Sequence, residues 1–259
     1  LTLQHLFSPT VINNTRVGVT RTVAGNNLDC CVNVPALADL SLGYIPGQPL
    51  GAFNVGGLPN GKFGGIGSDG MNIFAYTAPQ FYNDLSWNRG SHSIRAGFAF
   101  ERVQDNMEQQ NRLNGLWSFG SIKDLLTVNP NQFSFDVPGT DGRRGQRQSI
   151  IAGYIQDDFR LRSNLTINMG VRYEMTTVLN EANGKIANLR NLTDPKVSLG
   201  SPYFMNPTFK NFAPRVGFAW DPFKDGKTSI RGGVGLFDIM PLPYVFVSLL
   251  PRSTPYYVQ

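Results

Sequence analysis

Apolar and polar residues alternate one by one through several stretches of the chain. In SNLTINMGVRYEM (residues 163–175), every second residue from Leu165 is apolar, and the intervening set from Thr166 includes an arginine and a glutamate. Successive side chains of a β-strand point to opposite faces, so this pattern predicts a strand with one apolar and one polar face. The pattern leaves open whether the apolar face meets a protein core or lipid. It also leaves open whether the polar face meets bulk water or an enclosed lumen.

The alternation recurs often enough to predict about eight strands. They lie near residues 1–7, 11–22, 80–87, 93–101, 150–161, 165–175, 212–221 and 228–238. No window keeps the 3.6-residue period of a helix, and the best helical candidate is IKDLLT at residues 122–127. The sequence therefore predicts an all-β, antiparallel fold.

The connections between these strands alternate strictly in length. Short turns are predicted at residues 8–9, 88–90, 162–164 and 223–227, and long connections at roughly 23–72, 104–148 and 178–211. All short turns then fall at one end of the sheet, which is typical of an outer-membrane barrel. A soluble sandwich has no reason to sort its loops in this way, although it remains the competing fold. Aromatic residues near the short turns (Trp87, Phe159, Trp220 and Phe223) fit a girdle at the membrane interface.

The composition agrees with a membrane-embedded sheet. Only 16% of the residues are charged, against about a quarter in soluble domains. No stretch approaches the roughly 18 apolar residues of a transmembrane helix. The net charge is +5, but the basic residues are scattered. Their one tight cluster, GRRGQR at residues 142–147, is predicted to be a solvated loop, so we expect no nucleic-acid partner.

We find no catalytic, metal or cofactor motif in the sequence. Asp157 and Asp158 are consecutive and point to opposite faces of a strand, so they cannot work as an acid–base pair. Cys30 and Cys31 are adjacent, and both a strained vicinal disulfide and two free thiols remain open. GIGSDG (residues 65–70) lacks the strand and helix that flank a dinucleotide site and is predicted to be loop. We therefore expect no enzyme activity and no cofactor.

Polar residues of the alternating strands are the candidates for a lumen-facing wall. They are Arg95, Glu101, Tyr154, Gln156, Asp158, Arg172, Glu174, Arg215 and Arg231. They either contact a solute or an internal domain, or only hydrogen-bond neighbouring strands and water. In both cases they should point inward, because arginine on the lipid face costs roughly 2–4 kcal/mol at mid-membrane. Trp117 and Phe119 lie in a long connection, where they either stack on a ligand or pack within the loop.

Four segments carry a family resemblance. GYIQDDFRLRSNLTINMGVRYE (residues 153–174) and NFAPRVGFAWDPFKDGKTSIRGGVGLF (residues 211–237) resemble signature hairpins of TonB-dependent outer-membrane receptors, most closely the Oar-like branch. LFSPTVINNTRVGVTRT (residues 6–22) resembles an earlier hairpin of these barrels, and IKDLLTVNPNQFSF (residues 122–135) resembles one of their loop segments. The matches follow the family's order and cover most of the chain apart from residues 23–72.

The resemblance implies a barrel of about 22 strands around a plug domain. Residues 1–259 would then be a single internal section of the barrel, without the plug and the TonB box. The implied function is import of a scarce solute, such as a glycan fragment, a peptide or a metal chelate. The implied partners are outer-membrane lipid, the protein's own plug, TonB and an extracellular solute. A competing function is adhesion or binding through the long loops without transport.

Overall fold

The chain folds almost entirely into β-strands. The computed structural model describes residues 1–26, 39–58, 70–110, 112–206 and 208–258. The strands in these ranges are β1 (Thr2–Ser8), β2 (Val11–Asn26), β3 (Ala52–Val55), β4 (Met71–Arg89), β5 (His92–Gln110), β6 (Leu116–Phe119), β7 (Gln132–Ser134), β8 (Arg143–Arg162), β9 (Leu165–Thr176), β10 (Asn180–Glu181), β11 (Ala187–Asn188), β12 (Ser198–Leu199), β13 (Phe212–Trp220) and β14 (Ile230–Gly235). The helical elements described are α1 (Ile122–Leu126) and the 3-10 helices Leu40–Leu42, Pro243–Phe246 and Leu250–Arg252. Within these ranges, no helix is long and apolar enough to span a membrane.

Eight strands form one antiparallel sheet in which neighbours in the sequence are neighbours in space. Their order is β1-β2-β4-β5-β8-β9-β13-β14, and the short β10 adds to the edge of β8 beyond β9. These eight correspond to the eight predicted strands, so the predicted all-β antiparallel fold is confirmed. Among the described residues, β1 pairs only with β2 and β14 pairs only with β13. The sheet is therefore an open arc with two unpaired edges.

The short turns all lie at one end of the sheet, which we call the turn end, and the long connections lie at the loop end. The turns have the residues that tight geometry needs: Gly90 has a φ of +58° after β4, and Gly226 has a φ of +72° between β13 and β14. Asp221 organises the latter turn, because its carboxylate accepts hydrogen bonds from the backbone N–H groups of Phe223, Lys224 and Gly226 at 2.8–3.2 Å. The predicted alternation of short and long connections is confirmed.

β2, β4, β5 and β8 extend further towards the loop end than the alternation predicted. The first two long connections, residues 27–70 and 111–142, are therefore shorter than expected, whereas the third, residues 177–211, is close to its predicted bounds. The prediction that residues 142–147 form a solvated loop is wrong, since β8 begins at Arg143 and pairs with β5 through Glu108↔Arg143 and Met107↔Arg144. Arg144 is only 2% exposed. Strand pairing continues past the apolar band, so polarity alone does not mark where a strand ends.

The register of the strands places like residues on one face. Along one row of the sheet, Arg95 lies opposite Gln156, Gln156 opposite Gly170, and Gly170 opposite Arg215. Directly opposed residues of neighbouring strands share a face. We call this the polar face. The other, apolar face includes Ile94, Phe98, Ile155, Met169 and Val216.

Tyr154 crosses the polar face over a glycine. Its hydroxyl donates to the Asp84 carboxylate at 2.8 Å, although Tyr154 belongs to β8 and Asp84 to β4, two strands away. Gly97 of β5 lies beneath the ring: a Cβ there would be 2.4 Å from Tyr154 Cε1 and 2.7 Å from Asp84 Oδ1. The missing side chain at Gly97 is what lets the tyrosine span three strands.

The hydrophobic core lies at the loop end and not between two sheets. Leu179, Ile186 and Leu250 are fully buried against one another, and the aromatic rings of Tyr203, Phe204 and Phe246 pack around them. They come from the 177–211 connection and from residues 236–258, which follow β14. We use the name loop-end layer for these two segments together with the 111–142 connection.

Buried polar side chains of β8 attach this layer to the sheet. The Arg144 guanidinium donates to the backbone carbonyls of Asp141 and Pro251 at 2.6 and 2.9 Å. The Gln148 amide donates to the carbonyls of Thr177 and Pro241, both at 3.0 Å. Side chains of β8 therefore donate hydrogen bonds to parts of the loop-end layer that are distant from one another in sequence.

An ion pair joins two of the long connections. Lys185 donates to the Asp141 carboxylate. Burial acts to raise the pKa of the Asp141 carboxyl, but the hydrogen bonds from Lys185 and from the Arg143 backbone N–H outweigh it and hold that pKa below its usual value. Asp141 is therefore ionised at neutral pH and keeps the 111–142 and 177–211 connections together.

Replacing Gly97 by leucine should destabilise the protein. The new side chain would displace the Tyr154 ring and break its hydrogen bond to Asp84, at an expected cost of about 1–3 kcal/mol. The measurement is thermal unfolding of the full-length protein in detergent. Gly18→Leu is the matched control, because nothing lies within 4 Å of a Cβ at Gly18 on β2. Equal loss in both variants would show that the Tyr154 contact is not responsible.

Candidate functional site on the polar face

All nine residues predicted to line a lumen lie on the polar face. The strand register places Glu101, Arg172, Glu174 and Arg231 on the same face as Arg95, Tyr154, Gln156, Asp158 and Arg215. Their side chains meet other polar groups of this face: the Tyr76 hydroxyl donates to Glu101 at 2.8 Å, and Asn168 donates to Asp158 at 2.6 Å. Arg172 pairs with Glu174 along its own strand. The sheet thus gathers these residues into one polar surface.

Residues outside the predicted set complete this surface. Arg16 donates to Asp84 at 2.8 Å, so the Asp84 carboxylate receives both Arg16 and the Tyr154 hydroxyl. Tyr76 belongs to a part of β4 that the sequence analysis assigned neither to a strand nor to a long connection. The alternation in residues 80–87 predicts that Asp84 lies on the polar side of its strand. Only the strand register shows that its carboxylate accepts hydrogen bonds from Arg16 and Tyr154.

A cavity of about 690 Å³ lies against the polar face between β5 and β14. The polar side chains that line it are those of Arg95, Tyr154, Gln156, Asp158, Asn168, Arg172 and Arg215. Its wall also includes Gly170, Gly217, Gly233 and Gly235, which contribute no side chains. The space exists because glycines alternate with long polar side chains on this part of the sheet.

The structure places Trp117 and Phe119 in packing contacts. Both lie on β6, which pairs with β3 and β7 in a small separate sheet. Trp117 stacks on Phe133 with 4.1 Å between ring centroids. Phe119 is 6% exposed and stacks on Phe53. These contacts occupy Trp117 on one side and leave little of Phe119 accessible to a ligand.

Asp157 and His92 form a pair that the sequence did not reveal. Asp157 points to the opposite face from Asp158, as predicted, and its carboxylate lies 2.6 Å from His92 Nδ1. The His92 ring stacks on Phe159 with 4.4 Å between centroids. This polar pair on the apolar face lies close to the turn end, where a membrane interface would accommodate polar side chains.

Two predicted features lie outside the described residues. Cys30 and Cys31, the candidate vicinal disulfide, fall within residues 27–38, and most of the glycine-rich motif falls within residues 59–69.

A comparison with protein families identifies the kind of barrel. The family model described as "Outer membrane beta barrel domain" matches residues 1–259. The chain therefore belongs to this family of outer-membrane β-barrel domains and is located in the outer membrane. No curated protein matches the chain.

Membership in this family assigns an environment to the apolar face. Barrels of this class present an apolar band to lipid, flanked by aromatic girdles. Trp87 and Trp220 lie on the apolar face at the turn end and are partly exposed. They stand where a girdle at one membrane interface is expected.

Exchanging polarity between adjacent positions of β9 should separate the two faces. Met169→Arg should impair assembly, because it places a charge in lipid at a cost of about 2–4 kcal/mol. Asn168→Arg should be tolerated, because the side chain at position 168 lies on the polar face and lines the cavity. Assembly is measured by the heat-modifiable mobility of the full-length protein in outer-membrane fractions. Equal tolerance at both positions would contradict the assignment of faces.

Cysteine labelling should show which end of the sheet is outside the cell. In a background with Cys30 and Cys31 replaced by serine, we compare Leu192→Cys in the 177–211 connection with Arg89→Cys at the turn end. Both positions are exposed, and Leu192 fully so. A membrane-impermeant maleimide should label residue 192 in intact cells and residue 89 only after the cells are opened. The reverse pattern would invert the topology.

Proposed function

We propose that this chain forms wall and extracellular loops of a TonB-dependent receptor that imports a scarce solute across the outer membrane. The observation that carries the proposal is the open arc: within the described residues, eight strands form a meander whose two outer edges are unpaired. Unpaired backbone groups are costly in lipid, so we expect further strands to continue the wall on both sides. This supports a barrel wide enough to enclose a plug, as in the receptors that the hairpins resemble.

The hairpins that carry the resemblance are real structural units. Residues 153–174 fall on the β8–β9 hairpin, and residues 211–237 include the whole β13–β14 hairpin. Each pairs as an antiparallel hairpin along its length. The two segments that resemble the receptors' hairpins are therefore hairpins in this chain as well.

The polar face supports a role in solute passage. Charged side chains on this face would be unfavourable in lipid but suit a water-accessible lumen. The cavity beside β9 and β13 offers a place where a solute could rest on its way inward. The loop-end layer would cover the outer side of this route, and TonB would supply energy by pulling on the plug.

Adhesion through the loop end is the second candidate function. Large apolar side chains are exposed there, including Leu192, Met205 and Phe209. Exposed apolar groups on an outer surface suit contact with another macromolecule. An adhesin would need the loop-end layer but no energy coupling.

Dependence on TonB distinguishes the two functions. A strain lacking the full-length gene and its complemented parent are grown in the same medium, and loss of solutes from the medium is compared by mass spectrometry. We expect at least one solute to be taken up only with the gene, with intact TonB and with an intact proton gradient. A solute that enters through general porins is the control for cell integrity. Uptake that continues without TonB, or no solute dependent on the gene, would reject the importer.

A further inference from the structure

We propose that the cavity on the polar face binds solutes that carry two or more carboxylate groups, through the guanidinium groups of Arg95, Arg172 and Arg215. This inference rests on the proposed import function, because it names a solute class for the same wall. It follows from the positions of the three arginines, their partners and the dimensions of the space between them.

The arginines surround the cavity from three strands. Arg95 and Arg215 lie in the same row of the polar face, separated by Gln156 and Gly170. Three strand spacings part their backbones by about 14 Å along the sheet. Arg172 lies two residues beyond Gly170 on β9, on the loop-end side of that row. All three arginines line the same cavity.

Small residues keep this space open. Gly170 lies between the two outer arginines of this row and adds no side chain to the cavity wall. Gly217 and Gly233 continue the bare wall towards β14, opposite each other in the register. A ligand can thus approach the backbone closely while the arginines reach it from the rim.

The charges of the cavity are not balanced within the described residues. Three arginines line it against one carboxylate, that of Asp158, which accepts a hydrogen bond from Asn168. Arg172 is paired with Glu174. In contrast, neither Arg95 nor Arg215 forms an ion pair in the part of the chain that the structure describes. Arg215 lies over the Phe237 ring at 4.5 Å, which holds its guanidinium at the edge of the cavity.

These features select the chemistry of the ligand. A volume of about 690 Å³ falls in the range of small-molecule sites. The planar fork of a guanidinium matches a carboxylate with two parallel hydrogen bonds. Two arginines that have no acidic partner among the described residues, set apart across the cavity, match a solute with carboxylates at separate positions. The Tyr154 and Phe237 rings add apolar contact for the carbon skeleton between them.

The test measures binding of tricarballylate and citrate to the purified full-length protein in detergent by isothermal titration calorimetry. We expect both to bind, and the uncharged triamide of tricarballylate not to bind. Arg95→Gln and Arg215→Gln should each weaken binding by about tenfold or more, because each removes a charge-assisted hydrogen bond. Arg95→Lys, which keeps the charge but loses the fork, should lie between the wild type and Arg95→Gln.

Arg160→Gln is the matched control. Arg160 is also an arginine of the polar face, two residues from Asp158 on β8, but it does not line the cavity. Its replacement should leave binding unchanged. Failure of both polycarboxylates to bind, as when the protein's own internal domain fills the cavity, would overturn the proposal. Equal weakening by Arg160→Gln would also overturn it, because it would indicate attraction by general charge.

Two readouts separate this inference from the proposed import function. Binding in detergent needs neither TonB nor a proton gradient, so failure of energised uptake leaves the binding result standing. Conversely, TonB-dependent uptake of a neutral solute, with no polycarboxylate binding, would reject only the solute class. If the glutamine variants do not assemble, Arg95→Lys still decides: binding as tight as in the wild type would contradict recognition by the guanidinium fork.

Discussion

The rest of this structure depends on the backbone hydrogen bonds that join neighbouring strands across the whole sheet, from β1 at one edge to β14 at the other. In lipid, a backbone N–H or C=O group has no water to pair with, so a spanning segment must satisfy these groups with its neighbours. The meander does this with short turns at the turn end, so that each strand pairs with the strand that follows it in the main sheet. Once this strand pairing is set, the face of every side chain follows from its position.

The strand pairing also explains how a sheet without a conventional core can hold its shape. Through most of its length, the apolar face is solvated by lipid, and the polar face is held by contacts such as Arg16–Asp84–Tyr154. Among the described residues, the packed apolar cluster lies at the loop end, around Leu179, Ile186 and Leu250. Buried polar groups of β8 donate hydrogen bonds to backbone carbonyls of the loop-end layer. These hydrogen bonds join the wall to the layer.

Glycine has two different uses in this wall. At Gly97 it allows one long side chain to cross a strand and reach its partner. At Gly170, Gly217, Gly233 and Gly235 it forms part of the cavity wall without adding a side chain to it. The first use stabilises the sheet, whereas the second creates the cavity in which we place a ligand. The same residue type therefore closes one part of the polar face and opens another.

The sequence by itself determined the strands, their order and their faces. Alternation of apolar and polar residues reports directly which way each side chain points, and turn residues such as Gly90 and Asp221 mark the short connections. It did not determine the loop-end extensions of β4, β5 and β8, because strand pairing outside lipid needs no apolar face. It also did not reveal the burial of Arg144, the partners of Asp84 or the cavity between Arg95 and Arg215. Those depend on register and on contacts across two or three strands, and only the tertiary structure sets these distances.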